Sequence, residues 1–268
     1  MNNYIYLFFS GILIGICMIL PGISGSVVAI MFGIYEEILS LFSNNFKVYY
    51  KIKRLLPIAS GMLIGIFIFG KILLFFYNKY NFYMLYVFIG IILGSIPILY
   101  FQIKNNNGKI CYFELFISLF ISIIMFIIPK ILNVSIYNSF NIISLFCAGI
   151  LYISGKIIPG ISSSIFLMMF GLYELILKII TNPFDVNIDT IIKLIPFFIG
   201  IISGLLLLMK IMNYLLNNHY SKTYSSIIGF VLGSTFSIFP GIKFNINGLF
   251  SLILMFISFG LIYKLSKK

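Results

Sequence analysis

The chain has 268 residues, of which 61% are apolar and only 9% charged, and its formal net charge at pH 7 is +12. Soluble domains are about half apolar and about a quarter charged, so this composition excludes a soluble protein and predicts an integral membrane protein. The apolar runs suit helices that cross a hydrocarbon core of about 30 Å, and the alternating pattern of a membrane barrel is missing. The basic residues lie mainly in loops beside these runs, which favours contact with anionic lipid headgroups over nucleic-acid binding.

The first predicted element is a segment at about residues 4–42, which is too long for one membrane span. Pro21 and Gly22 interrupt it near its middle, because neither residue sustains a rigid helix. Each arm has roughly 16 to 18 residues, so it would be about 24 to 27 Å long, slightly short of the hydrocarbon core. A re-entrant helical hairpin is therefore predicted, with two complete crossings as the alternative. The N-terminus lacks the features of a signal peptide and is expected to be retained.

Three predicted transmembrane helices follow, at about 56–77, 83–101 and 112–132, and the sequence then repeats itself. The stretch ILPGISGSVVAIMFGIYEEIL at 19–39 matches IIPGISSSIFLMMFGLYELIL at 157–177, and the match continues through the later segments. A second broken segment at about 142–180 thus precedes predicted helices at about 190–212, 223–240 and 248–264. The matched positions include Gly, Pro, Ser, Tyr and Glu, which indicates a duplication rather than a chance likeness of apolar helices.

The duplication predicts an all-α polytopic protein with one membrane domain, 1–268, built from repeats at about 4–132 and 142–265. Each half crosses the membrane three or five times, and an odd number inverts the second repeat relative to the first. With the N-terminus inside, eleven basic residues fall on the inner side and five on the outer side, which agrees with the positive-inside rule. Both termini are therefore expected on the cytoplasmic side of the cytoplasmic (inner) membrane. The inner set is Lys47, Lys51, Lys53, Arg54, Lys104, Lys109, Lys210, Lys222, Lys264, Lys267 and Lys268, and the outer set is Lys79, Lys130, Lys178, Lys193 and Lys243.

The two motifs supply the chemistry expected of a buried anion site. Glycines permit close approach of the backbone, and serine hydroxyls lie where the second half-helix begins, at the positive end of its dipole. Irregular backbone at membrane depth is tolerated only inside protein or beside a wet cavity, so two facing copies predict one central polar site, as in secondary transporters. The alternative is that Pro-Gly only kinks the helix and that the serines bond back to carbonyls. The substrate-binding candidates are Gly22, Ser24, Gly25, Ser26, Lys156, Gly160, Ser162, Ser163 and Ser164.

Three charged residues beside the motifs are also candidates for function. Lys156 precedes the second motif within an apolar segment, where an anionic substrate would pair it, whereas snorkelling to an interface is the alternative. Glu36 and Glu174 lie about three turns beyond the serines, too far to touch the same atom. They are interpreted either as proton-coupling carboxylates or as interfacial residues that fix loops. A proton, a sodium ion or no gradient at all remains open as the energy source, and the oligomeric state is open too.

Catalytic chemistry has little support in the sequence. His219 is the single histidine, and Cys17, Cys111 and Cys147 have no paired spacing, so no metal site, cofactor or catalytic residue is expected. No His, Asp or Arg cluster adjoins either motif, which argues against an enzyme. The competing functions are an intramembrane phosphatase and a small-anion transporter or channel.

The copies LPGISGSVVAIMFGIYEEI and IPGISSSIFLMMFGLYELI resemble the paired signature of the membrane family called domain of unknown function 368 (DUF368), the PopT group of polyprenyl-phosphate transporters. The resemblance covers nearly the whole chain. It implies a flippase that returns undecaprenyl phosphate, the carrier lipid of envelope polymer synthesis, from the outer to the inner leaflet. It also implies that the motif positions form the headgroup site: Gly22, Ser24, Gly25, Ser26, Gly160, Ser162 and Ser164.

Two positions depart from the family pattern. The family has Ser-Gly-Gly-Thr in its first copy, where this chain has Ser26 after a single Gly25, so a hydroxyl is retained. In the second copy the family has Ser-Gly-Ser, and Ser163 replaces the glycine. A β-carbon at this position is expected to narrow the backbone conformations available for wrapping a phosphate.

Overall fold

The computed structural model of the chain describes residues 3–19, 24–43, 48–69, 72, 75–76, 79–132, 141–173, 175–176, 179 and 187–266. Over these residues the chain forms helices and turns and has no strand. The predicted all-α membrane fold is thereby confirmed.

Helices account for nearly all the described residues of both halves. The first half contains α1 (Asn3–Ile19), α2 (Gly25–Met31), α3 (Tyr35–Ser43), α4 (Val48–Ile64) with a π-helical end (Gly65–Phe69), α5 (Asn81–Asn105) and α6 (Tyr112–Leu132). The second half contains α7 (Ile142–Ile157), α8 (Ser163–Met169), α9 (Ile188–Lys193), α10 (Ile195–Asn218), α11 (Tyr220–Ile238) and α12 (Ile246–Ser266).

Four helices of the described residues are long and apolar enough to cross a membrane: Ile52–Phe69, Asn81–Asn105, Ile195–Asn218 and Ile246–Lys264. The predicted spans have matching helices, although their limits differ. The helix expected at 56–77 begins at Val48, and the one expected at 190–212 begins at Ile195, after the separate short helix α9. The start of α4 was misplaced because its polar and basic first turns lower the hydropathy without ending the helix. The start of α10 was misplaced because the helix breaks at Leu194, and Pro196 lies in the first turn of α10.

The return arm of the first hairpin differs from the single half-helix expected for it. It consists of the seven-residue α2 and the nine-residue α3, separated by a turn at Gly33, whose φ is +65°. The Gly33 N–H donates to Ile30 O and the Ile34 N–H donates to Ala29 O, which is the hydrogen-bond pattern of a Schellman cap. The second copy repeats this turn at Gly171, with φ also +65°. Apolar periodicity continues through both turns, so hydropathy alone concealed them.

Close approach at glycines fixes the main helix pairs. A β-carbon at Gly11 would overlap the Ile58 carbonyl oxygen, and one at Gly61 would overlap that of Phe8, so α1 and α4 pack backbone to backbone. In the second half, Gly149 and Gly200 bring α7 against α10 in the same way. Within each pair the contacting residues advance together along both helices, so the two helices run parallel.

The other two major pairs join the halves to each other. Gly90 of α5 contacts Met255 and Ser258 of α12, while Gly229 of α11 contacts Leu115 and Ser118 of α6. Helices α5 and α11 also pack against one another. The last helix of each half is therefore held by the other half, which makes the described helices one interlocked body.

Contacts at the helix ends show which ends lie together. The Tyr6 hydroxyl donates to Phe32 O, and the Tyr220 hydroxyl reaches Glu36, so the starts of α1 and α11 lie at one end of the molecule. At the opposite end, Tyr86 donates to Gly241 O. Helices α1 and α4 run away from the first end, whereas α7 and α10 run towards it.

Candidate functional site

A small buried cavity lies where the two hairpin tips meet the crossing pair α5 and α11. Its polar lining comes from Ser24 of the first motif, Ser95 of α5 and Ser234 of α11, and Gly160 brings in the second motif. Aliphatic side chains such as Val28 form the rest of the wall. The space is about 10 Å³, which is close to the room that one water molecule needs.

In the first motif, Ser24 stands at the start of α2 in an extended conformation, with φ −91° and ψ 125°. Its hydroxyl makes no cap bond to the helix; instead, Ser24 Oγ lies 2.6 Å from Ser26 Oγ, and both side chains are buried. Gly25 packs against α1, because a β-carbon there would lie 2.8 Å from Met18 Cγ. Gly22 lies outside the described residues.

The second motif has the same local geometry. Ser162 precedes α8 with φ −91° and ψ 116°, and its Oγ lies 2.7 Å from Ser164 Oγ. Gly160 adopts φ +88°, and a β-carbon there would lie 2.6 Å from Val231 N, so only glycine brings this loop against α11. Both helices that begin at the motifs have only seven residues, so their dipoles are small. Ser26, Ser162 and Ser164 are not among the residues that line the cavity.

Ser163 faces the hairpin interior. It is the first residue of α8 and is buried, and a β-carbon at Gly155 of α7 would lie 2.6 Å from its Cα. Where the family pattern has glycine, this chain thus has Ser163, and the residue that faces it on the opposite arm of the hairpin is Gly155. It is not among the residues that line the cavity.

Lys156 lies in the last turn of α7, with its Nζ 5.8 Å from the centroid of the Tyr152 ring. A cation at this position interacts favourably with the helix C-terminus and with the face of the aromatic ring. Its side chain is partly buried, and it is not part of the cavity wall.

Tyr35, next to the turn at Gly33, connects the two hairpins directly. Its buried hydroxyl donates to Ile157 O, at the end of α7, over 2.8 Å. The first hairpin is therefore anchored two residues before Pro159, at the entry to the second motif.

Glu36 belongs to a separate hydrogen-bonded cluster. Its Oε1 accepts from the Tyr220 hydroxyl at 2.9 Å and from the Tyr224 hydroxyl at 2.7 Å, which ties α3 to α11. The hydroxyl of Tyr220 also lies 3.3 Å from Gln102 Oε1. The neighbouring Glu37 pairs with Arg54 at 3.0 Å. Glu174, the counterpart of Glu36, lies outside the described residues.

Sequence reasoning did not select Ser95 and Ser234, although a signal for them was present. Both end a Leu-Gly-Ser triplet, at 93–95 and 232–234, which falls at matched positions of the two halves. The triplet belongs to the repeat match of the later segments, and its serines were not assigned to the site.

The cavity can bind but offers little for catalysis. Its described lining holds hydroxyls and aliphatic groups, which can donate hydrogen bonds to an anion but cannot act as a general base near neutral pH. Within the described part of the chain, no three His, Cys, Asp or Glu side chains lie together in a way that could hold a metal ion.

These features define an α-helical polytopic membrane protein in which the two motifs meet beside a small cavity lined by three serines and aliphatic side chains. Helices broken near a central site are an architecture that secondary transporters use. The chain belongs to the family described as Undecaprenyl phosphate translocase-like, whose model matches residues 1–107 and 43–248. It is similar to a Staphylococcus aureus protein named Polyprenyl-phosphate transporter, with 28% identity over 92% of this chain and 90% of the relative. A Vibrio cholerae protein of the same name is 23% identical over 89% of this chain and 78% of the relative. No solved structure matches the chain.

Proposed function

We propose that this protein transports polyprenyl phosphate, returning undecaprenyl phosphate from the outer to the inner leaflet of the cytoplasmic membrane for envelope polymer synthesis. The observation that carries the proposal is the likeness, over about nine-tenths of this chain, to relatives named Polyprenyl-phosphate transporter. The serine-lined cavity supports it, because a phosphate monoester needs several hydrogen-bond donors when it leaves water.

The proposed headgroup site is formed by the two motifs. The hydroxyl pairs Ser24–Ser26 and Ser162–Ser164 supply donors, Gly160 supplies close backbone approach, and Lys156 supplies the positive charge. The polyprenyl tail would stay among lipids beside the apolar outer helix faces, of which that of α6, with the exposed Phe113, Phe116 and Phe120, is an example.

Transport requires this site to open. A phosphate group is several times larger than a water molecule, and the cavity has only about 10 Å³, so we interpret this structure as a closed state. The opposite directions of α1 and α7 support an inverted repeat, in which the site opens to one leaflet and then to the other. Glu36 is proposed to steady the closed state at the cytoplasmic end through its tyrosine contacts.

The test is a proteoliposome assay in which labelled polyprenyl phosphate is presented on the outer surface. A membrane-impermeant phosphate-binding reagent reports how fast the lipid leaves that surface, and polyprenyl diphosphate and released inorganic phosphate are followed in parallel. The wild-type protein is expected to speed the loss of accessible polyprenyl phosphate without releasing phosphate. Ser24→Ala and Ser162→Ala are expected to slow it while leaving thermal stability near wild type.

Other outcomes would overturn the proposal in distinct ways. Phosphate release would identify an enzyme, such as a polyprenyl-diphosphate phosphatase. An unchanged accessibility of both lipids would direct the search to small anions. Normal transport by Ser24→Ala, Ser162→Ala and Lys156→Met would leave the transport function intact and refute the headgroup site.

A further inference from the structure

We propose that Ser95 and Ser234 are a further pair of headgroup-binding residues, which complete the phosphate site from the side of the crossing helices α5 and α11. This inference rests on the proposed transport of a lipid phosphate and assigns further residues to the same site.

The two serines lie where such a contribution requires. Both line the cavity together with Ser24 and Gly160, and their side chains are only 1% and 6% exposed. Each comes from a different half of the chain, so together with Ser24 they place hydroxyls on three separate elements around one small space. A tetrahedral phosphate, with acceptor oxygens in several directions, is the kind of ligand that this arrangement fits.

The preceding glycine explains why each serine faces inward. A β-carbon at Gly94 would lie 2.9 Å from Phe259 O of α12, and one at Gly233 would collide with Ser122 of α6. The glycine-containing face of α5 thus packs against α12, and that of α11 packs against α6. Successive helical residues are rotated by about 100°, so the next residue turns away from that contact and towards the cavity.

The hydroxyls of Ser95 and Ser234 can each turn their proton from a backbone carbonyl towards a ligand. In the closed state Ser95 donates to Ile92 O over 2.6 Å, and Ser234 donates to Val231 O over 2.8 Å. Each accepting carbonyl lies inside a helix, where the N–H four residues later also bonds it. Rotation about χ1 therefore turns the hydroxyl proton towards a ligand without leaving a backbone carbonyl unpaired.

A purely structural role makes a different prediction. If the serines only relax their own helices, alanine at either position changes stability and leaves ligand binding alone. If they hold the headgroup, alanine weakens binding and leaves the fold intact. Ser251 of α12 provides the matched control, because it is 0% exposed and donates to Gly248 O over 2.7 Å, yet it does not line the cavity.

The experiment compares Ser95→Ala, Ser234→Ala, their double variant and Ser251→Ala in full-length protein. In detergent, binding of geranyl phosphate is measured by its effect on the unfolding temperature, with inorganic phosphate as a second probe for a headgroup-only site. In proteoliposomes, transport of polyprenyl phosphate is measured over a range of lipid densities. Each cavity variant is expected to weaken geranyl phosphate binding roughly tenfold and to raise the lipid density needed for half-maximal transport, whereas Ser251→Ala matches wild type.

The outcomes separate this inference from the proposed function. If wild type transports polyprenyl phosphate and the double variant binds and transports as well as Ser251→Ala does, the assignment of Ser95 and Ser234 is overturned and the transport function stands. If wild type itself moves no polyprenyl phosphate, both are overturned. Weaker binding with an unfolding temperature equal to that of the ligand-free wild type supports the assignment.

Discussion

Ser163 and Gly155 form a complementary pair at the narrowest point of the second hairpin. The backbone of Ser163 approaches Gly155 so closely that any β-carbon at residue 155 would lie 2.6 Å from its Cα. The first hairpin places its glycine on the other arm, where Gly25 faces Met18. A motif read alone suggests that Ser163 constrains the phosphate loop, whereas the structure directs that side chain into the hairpin interface.

Lys156 provides a prediction at the scale of a single residue. Replacing it with methionine keeps most of the side-chain volume but removes the charge, and with it the cation–π contact with Tyr152. We expect Lys156→Met to lower the transport rate of polyprenyl phosphate roughly tenfold or more, because the loss of one contact to a charged group costs about 1.5 to 3 kcal/mol. Lys156→Arg should retain much of the activity.

The control is Lys264→Met, which removes a charge from the exposed end of α12. The transport assay described for the proposed function measures all three variants. Equal transport rates for Lys156→Met and wild type would mean that Lys156 only stabilises the C-terminal end of α7, through the helix dipole and the Tyr152 ring, and does not bind the headgroup.

At the scale of the helix, the glycine contacts predict where packing is least tolerant. In Gly90→Ala the new β-carbon would overlap the Met255 carbonyl and the Ser258 hydroxyl of α12. Overpacking of this kind costs about 1 to 3 kcal/mol, so the unfolding temperature in detergent should fall. Gly260→Ala is the matched control on the partner helix, because nothing lies within 4 Å of its added β-carbon.

The control should be neutral or slightly stabilising, since alanine favours a helix over glycine by up to about 1 kcal/mol. If Gly90→Ala and Gly260→Ala unfold at the same temperature, α5 and α12 are not packed backbone to backbone as described.

The hydrogen bonds to Glu36 give a second prediction at this scale. Tyr224→Phe removes the 2.7 Å bond to the carboxylate, and Tyr220→Phe removes the 2.9 Å bond. Bonds to a charged group contribute about 1.5 to 3 kcal/mol, so the double variant should unfold at a lower temperature and expose the amides of α3 to faster hydrogen exchange. Tyr214→Phe, at an exposed position on α10, is the control.

Unchanged exchange in α3 would contradict the view that these tyrosines hold Glu36. If Glu36 instead couples proton movement, Glu36→Gln should remove the pH dependence of transport while preserving the stability of α3. The two readouts therefore separate the two interpretations that the sequence left open for this residue.

The whole molecule shows which parts of the fold were accessible from sequence. Hydropathy located the long helices, and Pro159 marked the break between α7 and α8, whereas Pro57 and Pro97 lie inside α4 and α5 without ending them. Pro21 lies outside the described residues. The turn at Gly33 was missed, since its apolar neighbours continue the helical pattern. The pairing of α5 with α12 was also inaccessible, because helices that are apolar all round carry no face preference in their hydropathy.

The candidate site, like the fold, was only partly predictable from the sequence. The motif serines were predicted because helix breaks drew attention to them, whereas Ser95 and Ser234 lie in uninterrupted helices with only a repeated triplet as a signal. Which side of a helix faces a cavity depends on its neighbours, and those contacts became visible only when Gly94 and Gly233 were seen against α12 and α6.

The orientation of the whole molecule in the membrane provides the last prediction. Helix α11 separates Lys222 at one end from Lys243 at the other, and Lys243 stacks on Phe82 at the start of α5. Contacts along α5 and α12 advance together from Gly90 and Met255 onward, so α12 returns to the end that holds Lys222. The start of α1 lies at that same end of the molecule, together with the end of α12.

Basic residues predict that this side is cytoplasmic. In a variant whose three native cysteines are replaced by alanine, Lys243→Cys should react with a membrane-impermeant maleimide in intact cells, and Lys222→Cys should react only after lysis. The reverse labelling pattern would show that the protein has the opposite orientation in the membrane, and each hairpin would then open to the opposite leaflet. Labelling of both positions from outside would contradict the crossing of the membrane by α11 itself.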